Sequence, residues 1–365
     1  MENIHGKMKA LVFHGPHKLS VEERPIPSIA EEDVLLRTRM TAVCGSDVQP
    51  YVEGTGGVDG QVFGHEFVAE VAALGSKVQG LSLGQRVFGN NAGVCGECWY
   101  CKNGMPLFCR SSLKYYTGKH LKHPGALAQY IAFEAPKASI PQAPHINSLM
   151  PIPDCVSDEA AALIEPFGVG IATVEKSRVR EGGTLVILGA GTIGLCALQW
   201  AKHLGIRTII TDICDNRLNI AKLLGADHVI NSSQGDCYKS IAGLIGEIGW
   251  VKGDEATPAD AVIDCAGYPG SLNDALRIVR AGGTVVEISD SSRLSPVNIT
   301  YISYKNVSIC NCCECDTANA LDGLSKGFLK AQPLISGTVG LEEAETAFRL
   351  QAEGKAVKVL VRMKD

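Results

Sequence analysis

The middle of the chain, from residue 169 to about residue 308, alternates between short apolar runs and stretches with helical periodicity. The apolar runs predict strands at 184–188, 208–211, 228–230, 261–264 and 284–288, and the stretches between them, such as 193–204 and 216–224, predict helices. Each strand must then be reached by a right-handed crossover through a helix, which requires a parallel sheet. The pattern therefore predicts an α/β unit with a doubly wound parallel sheet.

A glycine-rich segment, GAGTIG at residues 189–194, joins the first of these strands to the helix that follows it. Gly189 permits a tight turn, Gly191 lets the backbone approach a pyrophosphate, and Gly194 lets the helix pack closely on the strand. Ile193 lies where the helix starts, and the partial positive charge of a helix N-terminus favours phosphate binding. In this strand–loop–helix context the segment predicts a dinucleotide-binding site.

Two charged residues near the end of the next predicted strand bear on the choice of cofactor. Asp212 lies 18 residues beyond Gly194, where a carboxylate can bind the hydroxyls of the adenosine ribose. The same carboxylate would repel a 2′-phosphate, so the sequence predicts NAD rather than NADP. Arg217, five residues further on, is placed to lie over the adenine or the ribose.

The first part of the chain, from residue 8 to about 153, has a different pattern, in which β-type runs are separated by Gly- and Pro-rich turns. The runs predict strands at 9–13, 34–41, 66–71, 85–88 and 128–133. This part is therefore predicted to be mostly β. The last part, 317–365, has two helical patterns and an end strand at 357–361, and the sequence leaves open whether it returns to the first part.

Length and composition narrow the classes of function. A chain of 365 residues favours two domains over one. The net charge is −5, with both signs interspersed, which gives no electrostatic case for a nucleic-acid or membrane partner. No apolar run is long enough to span a bilayer, and residues 1–9 have no apolar signal core. Fourteen cysteines in such a chain indicate reduced thiols and metal ligands, so we expect a cytoplasmic protein.

Four of the cysteines, Cys95, Cys98, Cys101 and Cys109, follow the spacing C-x2-C-x2-C-x7-C in a loop-like run. Four thiolates within fifteen residues suit a tetrahedral Zn²⁺ that has no position left for water. A closed site of this kind shapes a loop and does no chemistry. The sequence therefore predicts one structural zinc here and directs the search for reactive residues elsewhere.

A second set of candidate ligands is spread over three segments. Cys44 begins the run Cys-Gly-Ser-Asp after a predicted strand, His65 and Glu66 follow a glycine, and Glu165 precedes the nucleotide-binding part. Cysteine, histidine and glutamate form a ligand set suited to Zn²⁺, and three protein ligands leave room for water or substrate. The spacing alone also allows a buried thiol and a surface His-Glu pair with no metal.

Taken in order, these motifs resemble the zinc-dependent medium-chain dehydrogenases, and most of all their sorbitol (polyol) dehydrogenase branch. The resemblance covers residues 8–363. It implies a GroES-like, mostly-β catalytic domain formed by 1–168 and 310–365, and a Rossmann NAD-binding domain at 169–309. It also implies a catalytic zinc held by Cys44 and His65 with Glu66 or Glu165, hence two Zn²⁺ per chain, and a homodimer or homotetramer.

The resemblance implies hydride transfer from a secondary alcohol to NAD, with a polyol, a sugar or an aminocyclitol or other amino alcohol as substrate. Zinc is a Lewis acid that lowers the pKa of an alcohol, and the nicotinamide accepts the hydride. Ser46, beside Cys44, is expected to relay the proton, with Glu66 and Glu165 as further catalytic candidates. Relatives often have a histidine three residues after this serine. Gln49 stands there instead, so water is expected to complete the route.

Three features near the expected substrate site remain as hypotheses. Tyr51 resembles a substrate-contacting tyrosine of the polyol branch, and Ser289 stands where relatives usually have glycine. Glu314 lies where polyol dehydrogenases have an arginine, and a carboxylate there would disfavour an acidic substrate and favour a cationic amine. The surrounding cluster, Cys310, Cys312, Cys313 and Cys315, is more typical of space-filling thiols than of a third metal site.

Two other functions stay open at this point. One is a threonine-type dehydrogenase that oxidises an amino acid. The other is a catalytically silent relative that keeps the cofactor fold and the structural zinc. The zinc content distinguishes the silent relative from an enzyme, because it would hold one ion per chain rather than two.

Overall fold

The computed structural model describes residues 4–89, 95, 97–110, 124–133, 149–253, 255–289 and 295–363. In chain order the strands are β1 Lys7–Phe13, β2 Leu19–Pro25, β3 Val34–Ala42, β4 Gln61–Val62, β5 Glu66–Leu74, β6 Arg86–Gly89, β7 Tyr130–Phe133, β8 Leu149–Pro151, β9 Thr184–Leu188, β10 Arg207–Asp212, β11 His228–Asn231, β12 Ala259–Asp264, β13 Val279–Glu287, β14 Ser308–Asn311, β15 Ile335–Gly340 and β16 Lys358–Arg362. The helices are α1 Gly45–Glu53, α2 Trp99–Lys102, α3 Asp158–Ala161, α4 Ile164–Ser177, α5 Thr192–His203, α6 Asp215–Leu223, α7 Cys237–Ile245, α8 Ser271–Ile278, α9 Ile299–Lys305, α10 Thr317–Lys326 and α11 Ala344–Ala352.

The chain divides into two compact units. The first unit consists of Met1–Glu165 and Ile335–Asp365, and the second of Pro166–Leu334. The expected boundaries at 168 and 310 differ from these, because 310–334 lies with the second unit. The Gln199 side chain accepts a hydrogen bond from the backbone of Lys330, and the His203 ring stacks on Phe328 at 3.9 Å between centroids. These contacts bind the segment after β14 to the parallel-sheet unit.

In the first unit β3 is the central strand of a seven-stranded sheet in the order β15-β16-β3-β5-β6-β8, with β7 also paired to β3. A smaller sheet has the order β2-β1-β4. Nearly every residue of β3 is buried, which suits a strand covered on both faces. The end strand β16 pairs antiparallel with β3, so the C-terminal part does return to the first unit.

The second unit has a six-stranded parallel sheet in the order β11-β10-β9-β12-β13-β14. The predicted parallel sheet is thus correct, and β9 has the predicted bounds. The edge strand β14 was not expected, since only one of its four residues is strongly apolar and its side chains are mostly exposed. The order of strands reverses between β9 and β12, and such switch points are where open α/β sheets bind ligands.

Helix α5, which follows the glycine-rich loop, is buried over eight consecutive residues, from Gly194 to Ala201. A helix that is apolar on all sides lies in a protein interior, and this one anchors the loop that precedes it. Within the described part of the chain, no helix combines the length and the apolar character needed to cross a membrane.

Candidate metal centres and nucleotide site

Two groups of metal-ligating side chains come together in the first unit. In one group the ligand atoms of Cys44, His65 and Glu66 all lie within 4.8 Å of one another, and they come from two segments about twenty residues apart. The other group consists of the four loop cysteines, treated below. Glu165 is not part of the first group, so of the two candidate glutamates it is Glu66 that the fold brings to Cys44 and His65.

The backbone around Cys44 and His65 explains how the two residues meet. Strand β3 ends at Ala42, and Cys44 takes an extended conformation as the cap of helix α1. Before His65, Gly64 has φ +103°, and a Cβ there would lie 2.8 Å from the backbone nitrogen of Leu127. Glycine is therefore required at this position, because any other residue would push the chain away from the neighbouring segment.

Asp47 orients the histidine of this cluster. Its Oδ1 lies 3.5 Å from Nδ1 of His65, and both side chains are buried. Burial by itself would lower the pKa of His65, but the charges of Asp47 and Cys44 outweigh it and raise that pKa well above its usual value. An imidazole held by a carboxylate through one nitrogen offers the other nitrogen to a metal. In the sequence Asp47 stands out only as the last residue of the Cys-Gly-Ser-Asp run, and its contact with His65 was not predicted.

Lys358, on the end strand β16, is a second residue of this site that was not predicted from the sequence. Its Nζ donates to both oxygens of Glu66, at 2.9 and 2.7 Å, and to the carbonyl of Val43 at 2.9 Å. Burial would lower the pKa of Lys358, but the charges of Glu66, Cys44 and Glu165 raise it, so the group is an ammonium. A lysine within the apolar run of β16 was the available signal, since a buried charge needs a partner.

Ser46 and Glu165 occupy positions around the cluster. The Ser46 hydroxyl donates to the sulfur of Cys44 at 3.2 Å. Glu165 lies in the first turn of helix α4, partly buried, and its charge acts on Lys358. Gln49, one turn beyond Ser46, donates to Glu53 at 3.3 Å. These contacts fit the expected placement of Ser46 beside a metal ligand.

The four cysteines of the loop form a compact sulfur cluster, with all ligand atoms within 4.8 Å of one another. The Sγ atoms of Cys98 and Cys101 are 3.5 Å apart, and those of Cys95 and Cys109 are 3.6 Å apart. Four sulfurs at about 2.3 Å from one Zn²⁺ would be separated by roughly 3.8 Å, which is close to these values. Backbone N–H groups of Cys101 and Arg110 lower the pKa of Cys98 to about 6, which favours the thiolate that zinc requires.

Both donor sets therefore fit Zn²⁺. The loop offers four sulfurs that already approach tetrahedral separations, which suits a closed structural site. The Cys44, His65 and Glu66 set offers one sulfur, one nitrogen and one oxygen, with Asp47 supporting the nitrogen ligand and Lys358 the oxygen ligand. Three protein ligands with such support are typical of catalytic zinc sites.

In the second unit the three loop glycines have different surroundings. Gly189 has φ +96°, which favours glycine, and a Cβ on Gly194 would lie 2.0 Å from the carbonyl oxygen of Gly189. A Cβ on Gly191 would meet no protein atom within 4 Å. Ile193 lies in the first turn of α5. The loop thus turns at Gly189, packs at Gly194 and leaves open space at Gly191, where a pyrophosphate could approach.

Asp212 ends strand β10 and is tied to this loop. Its Oδ2 accepts from the backbone N–H of Ala190 at 2.8 Å, and its Oδ1 accepts from that of Cys214 at 2.9 Å. Arg217 lies close by, with Nη1 3.7 Å from Oδ2 of Asp212. The structure thus brings the predicted acidic residue next to the glycine-rich loop.

Two of the expected substrate contacts are not supported by their surroundings. Tyr51 is only 4% exposed and belongs to the hydrophobic core of the first unit, where its ring packs on Phe348 and its hydroxyl bonds to Glu345. Glu314 is paired with Lys176 at 2.6 Å, so its charge is already compensated.

The other two departures from the family pattern have ordinary surroundings. Among the described residues, the metal-ligating groups do not include Cys310, Cys312, Cys313 and Cys315, of which Cys312 is buried and Cys313 exposed. Burial raises the pKa of Cys312 to about 11, so this thiol stays protonated. Ser289 donates its backbone N–H and its hydroxyl to Glu287, which fixes the turn after β13.

Comparison with known proteins defines the class. Residues 30–144 match the alcohol dehydrogenase GroES-like domain, and residues 192–326 match the zinc-binding dehydrogenase domain. The chain is 31% identical to sorbitol dehydrogenase of Bacillus subtilis, over 97% of both chains. It belongs to the zinc-dependent alcohol dehydrogenase family, and the predicted pair of a GroES-like and a Rossmann domain is confirmed.

Two further proteins are similar to this chain over nearly its whole length. L-threonine 3-dehydrogenase of Legionella pneumophila (strain Corby) is 29% identical over 93% of this chain and 95% of its own. A structure of an E. coli CFT073 protein, described as a short chain alcohol dehydrogenase complexed with cofactor NADH, is 28% identical. It covers 98% of this chain and 99% of its own with a TM-score of 0.84. The protein is thus an oxidoreductase of the alcohol and polyol dehydrogenase type that uses zinc and a nicotinamide cofactor, as expected.

Proposed function

We propose that this protein oxidises a secondary alcohol, in the first place a neutral polyol or sugar, with NAD as hydride acceptor. The catalytic zinc is assigned to Cys44, His65 and Glu66, with Glu165 outside the group, and the structural zinc to the four loop cysteines. The observation that carries the proposal is the meeting of the ligand atoms of Cys44, His65 and Glu66 within 4.8 Å, with His65 and Glu66 buried and supported by Asp47 and Lys358.

When bound, zinc supplies a Lewis acid that makes the substrate hydroxyl easier to deprotonate. The residues around it have separate tasks. Asp47 holds the His65 ring in place, and Ser46 donates to the Cys44 sulfur, next to where the substrate proton must leave. Gln49 cannot take up a proton as an imidazole does, so the route beyond Ser46 runs through water.

NAD rather than NADP follows from Asp212. Its carboxylate lies beside the glycine-rich loop, where the adenosine ribose of a dinucleotide would bind, and a 2′-phosphate would meet its negative charge. Arg217 close to Asp212 compensates part of this charge, so we expect a preference for NAD and not an absolute exclusion of NADP.

A threonine-type reaction is the second candidate, because an L-threonine 3-dehydrogenase is nearly as similar to this chain as the sorbitol dehydrogenase. The hypothesis that Glu314 recruits a cationic amino group is weakened by its pairing with Lys176. Neutral polyols therefore come first, followed by aminocyclitols, other amino alcohols and threonine.

The test combines metal analysis with a substrate panel. We expect two zinc ions per chain, loss of turnover when a chelator removes the more labile one, and NADH formation from at least one polyol or sugar. Turnover of threonine alone would select the second candidate. One zinc per chain with no turnover would instead indicate the silent relative, and full activity after removal of all zinc would refute the assignment.

Two properties of the whole molecule are part of the same proposal. All fourteen cysteines are free thiols in the structure, which suits a reducing compartment such as the cytoplasm. Strand β14 is the last strand of its sheet, and such an edge can pair with a second copy of the chain, as a homodimer or homotetramer requires. Light scattering of the purified protein measures the oligomeric state directly.

A further inference from the structure

Lys358 contacts the metal cluster through its ion pair with Glu66. The three protons of its ammonium group meet three acceptors, namely the two oxygens of Glu66 and the carbonyl of Val43, all at 2.7–2.9 Å. Val43 directly precedes the ligand Cys44. The lysine is 2% exposed and Glu66 is 1% exposed, so water screens this ion pair very little.

A second buried lysine has different hydrogen-bond acceptors, which shows that burial of a lysine does not by itself require a carboxylate partner. Lys305, in the second unit, is likewise buried, but its Nζ donates to the backbone carbonyls of Glu255, Leu276 and Arg277. Lys305 thus neutralises no buried carboxylate with its hydrogen bonds. Lys358 does, and the carboxylate that it binds is the only one grouped with Cys44 and His65 among the described residues.

Charge gives the pairing a chemical consequence. The Cys44 sulfur and the Glu66 carboxylate lie in the cluster itself, and the charge of Glu165 also acts on Lys358. A carboxylate that accepts two hydrogen bonds from an ammonium group has less electron density to give to a metal. A metal that receives less charge from its ligands remains a stronger Lewis acid.

We propose that Lys358 is a positioning residue that holds Glu66 through both oxygens and so limits how strongly this glutamate binds the zinc. The inference rests on the proposed assignment of the catalytic zinc to Cys44, His65 and Glu66. Lys358 keeps the zinc exchangeable and electron-poor, whereas a free Glu66 would bind the ion tightly and weaken it as a Lewis acid.

The experiment compares the zinc-loaded wild type with Lys358→Met and Lys358→Gln. The rate at which a chelator removes the more labile zinc should fall about tenfold in both variants, within the range by which groups around metal ligands change metal affinity. The visible spectrum of the cobalt-substituted protein should also change, because Glu66 would bind the ion in a new way. A purely structural lysine would leave that spectrum unaltered. Lys358→Gln retains hydrogen-bond donors and serves if the methionine variant fails to fold.

Controls separate the possible outcomes. Lys305→Met removes a lysine of similar burial in the other unit and should leave zinc release and the cobalt spectrum as in wild type. Lys358→Arg keeps the positive charge and should stay closer to wild type than Lys358→Gln does. Faster zinc release in the neutral variants, or an unchanged rate and spectrum, would overturn the inference while leaving the proposed function standing. A wild-type chain that holds only one zinc would overturn both.

Discussion

The metal cluster of the first unit and the nucleotide loop of the second are built in opposite ways. The cluster depends on buried side chains from distant parts of the chain, since Glu66 and Lys358 are 292 residues apart in sequence. The nucleotide loop depends mainly on backbone, with three glycines in six residues and one carboxylate that binds backbone N–H groups. The first site is therefore sensitive to the charge of single side chains, and the second to the space around single Cα atoms.

The largest effect is expected from His65→Ala in the metal cluster. Loss of this ligand should lower turnover by roughly 10³-fold or more, because a Lewis acid contributes several kcal/mol to such a reaction. One of the two zinc ions should be lost, while NADH binding, which belongs to the other unit, stays largely intact. Steady-state kinetics, metal analysis and NADH fluorescence titration measure these outcomes.

His17→Ala is a suitable control for that variant, since His17 packs on Tyr51 in the same unit and is not in the metal-ligating group. It should retain both zinc ions and most of the activity. If His65→Ala abolished NADH binding as well as turnover, His65 would be needed for folding and the contrast between the two units would fail.

The corresponding test of the nucleotide loop compares Gly194→Ala with Gly191→Ala. A Cβ on Gly194 would lie 2.0 Å from the Gly189 carbonyl oxygen, so the helix must move and we expect a loss of about 1–3 kcal/mol of stability. The affinity for NADH should fall by at least about tenfold, that is by roughly 1.4 kcal/mol. Chemical denaturation and fluorescence titration measure the two effects.

Gly191→Ala has open space around the added carbon and should leave the stability nearly unchanged. It should still weaken NADH binding if the pyrophosphate approaches the backbone there. Equal stability of the two variants would show that the close approach at Gly194 does not constrain the loop.

The four-cysteine loop tests whether a metal site can be separated from catalysis within the first unit. Cys98→Ser should remove one zinc per chain and lower the melting temperature by several degrees, because a structural metal contributes to folding. Turnover per folded molecule should fall much less than in His65→Ala. If Cys98→Ser removed turnover to the same extent at a temperature where it is folded, the two sites would not be functionally distinct.

A smaller effect is expected from Asp212→Ser, which removes the carboxylate that accepts from the backbone N–H of Ala190 in the loop. The preference for NAD over NADP, as the ratio of kcat/KM values, should narrow by about tenfold, since a charge-assisted contact to the ribose is lost and the repulsion of a 2′-phosphate ends. Asp212→Asn keeps the shape and is the matched control for charge alone. An unchanged ratio in both variants would show that Asp212 does not face the ribose.

The same contrast explains what the sequence could predict. The parallel sheet, the glycine-rich loop and the four-cysteine loop are local patterns, and β9 has the bounds that its pattern predicted. Cys44, His65 and Glu66 were named as candidates, but their order in the chain did not distinguish Glu66 from Glu165. That distinction depends on the sheet that places β5 beside β3 and β3 beside β16.

The residues that were missed or misplaced all depend on long-range packing. Lys358 and Asp47 act on residues 292 and 18 positions away, and no local periodicity links such pairs. Tyr51 was expected to contact substrate, but the packing of α11 against α1 puts its ring on Phe348. The segment 310–334 lies in the second unit, which differs from the expected boundary, and its contacts with residues such as Gln199 span 131 positions of the sequence.

The smallest effect concerns the buried lysine of the second unit and sharpens its contrast with Lys358. Burial lowers the pKa of Lys305 to about 8, and Glu255 only partly opposes this. Between pH 8 and about 10.5 the unfolded chain therefore binds more protons at this residue than the folded chain, so the free energy of unfolding should rise with pH across that interval. Its three carbonyl contacts favour the ammonium form, which limits the gain to the order of 1 kcal/mol.

Other groups titrate in the same interval, so the quantity to measure is the difference in unfolding free energy between wild type and Lys305→Met at pH 7.5 and pH 10. That difference should shift in favour of the wild type as the pH rises, because only the wild type loses the cost of a buried charge. Lys358, whose pKa is raised by its carboxylate partner, should add nothing to the slope over this interval. A difference that is constant with pH would mean that Lys305 is as well compensated as Lys358, and that backbone carbonyls can replace a buried carboxylate as partners of a lysine.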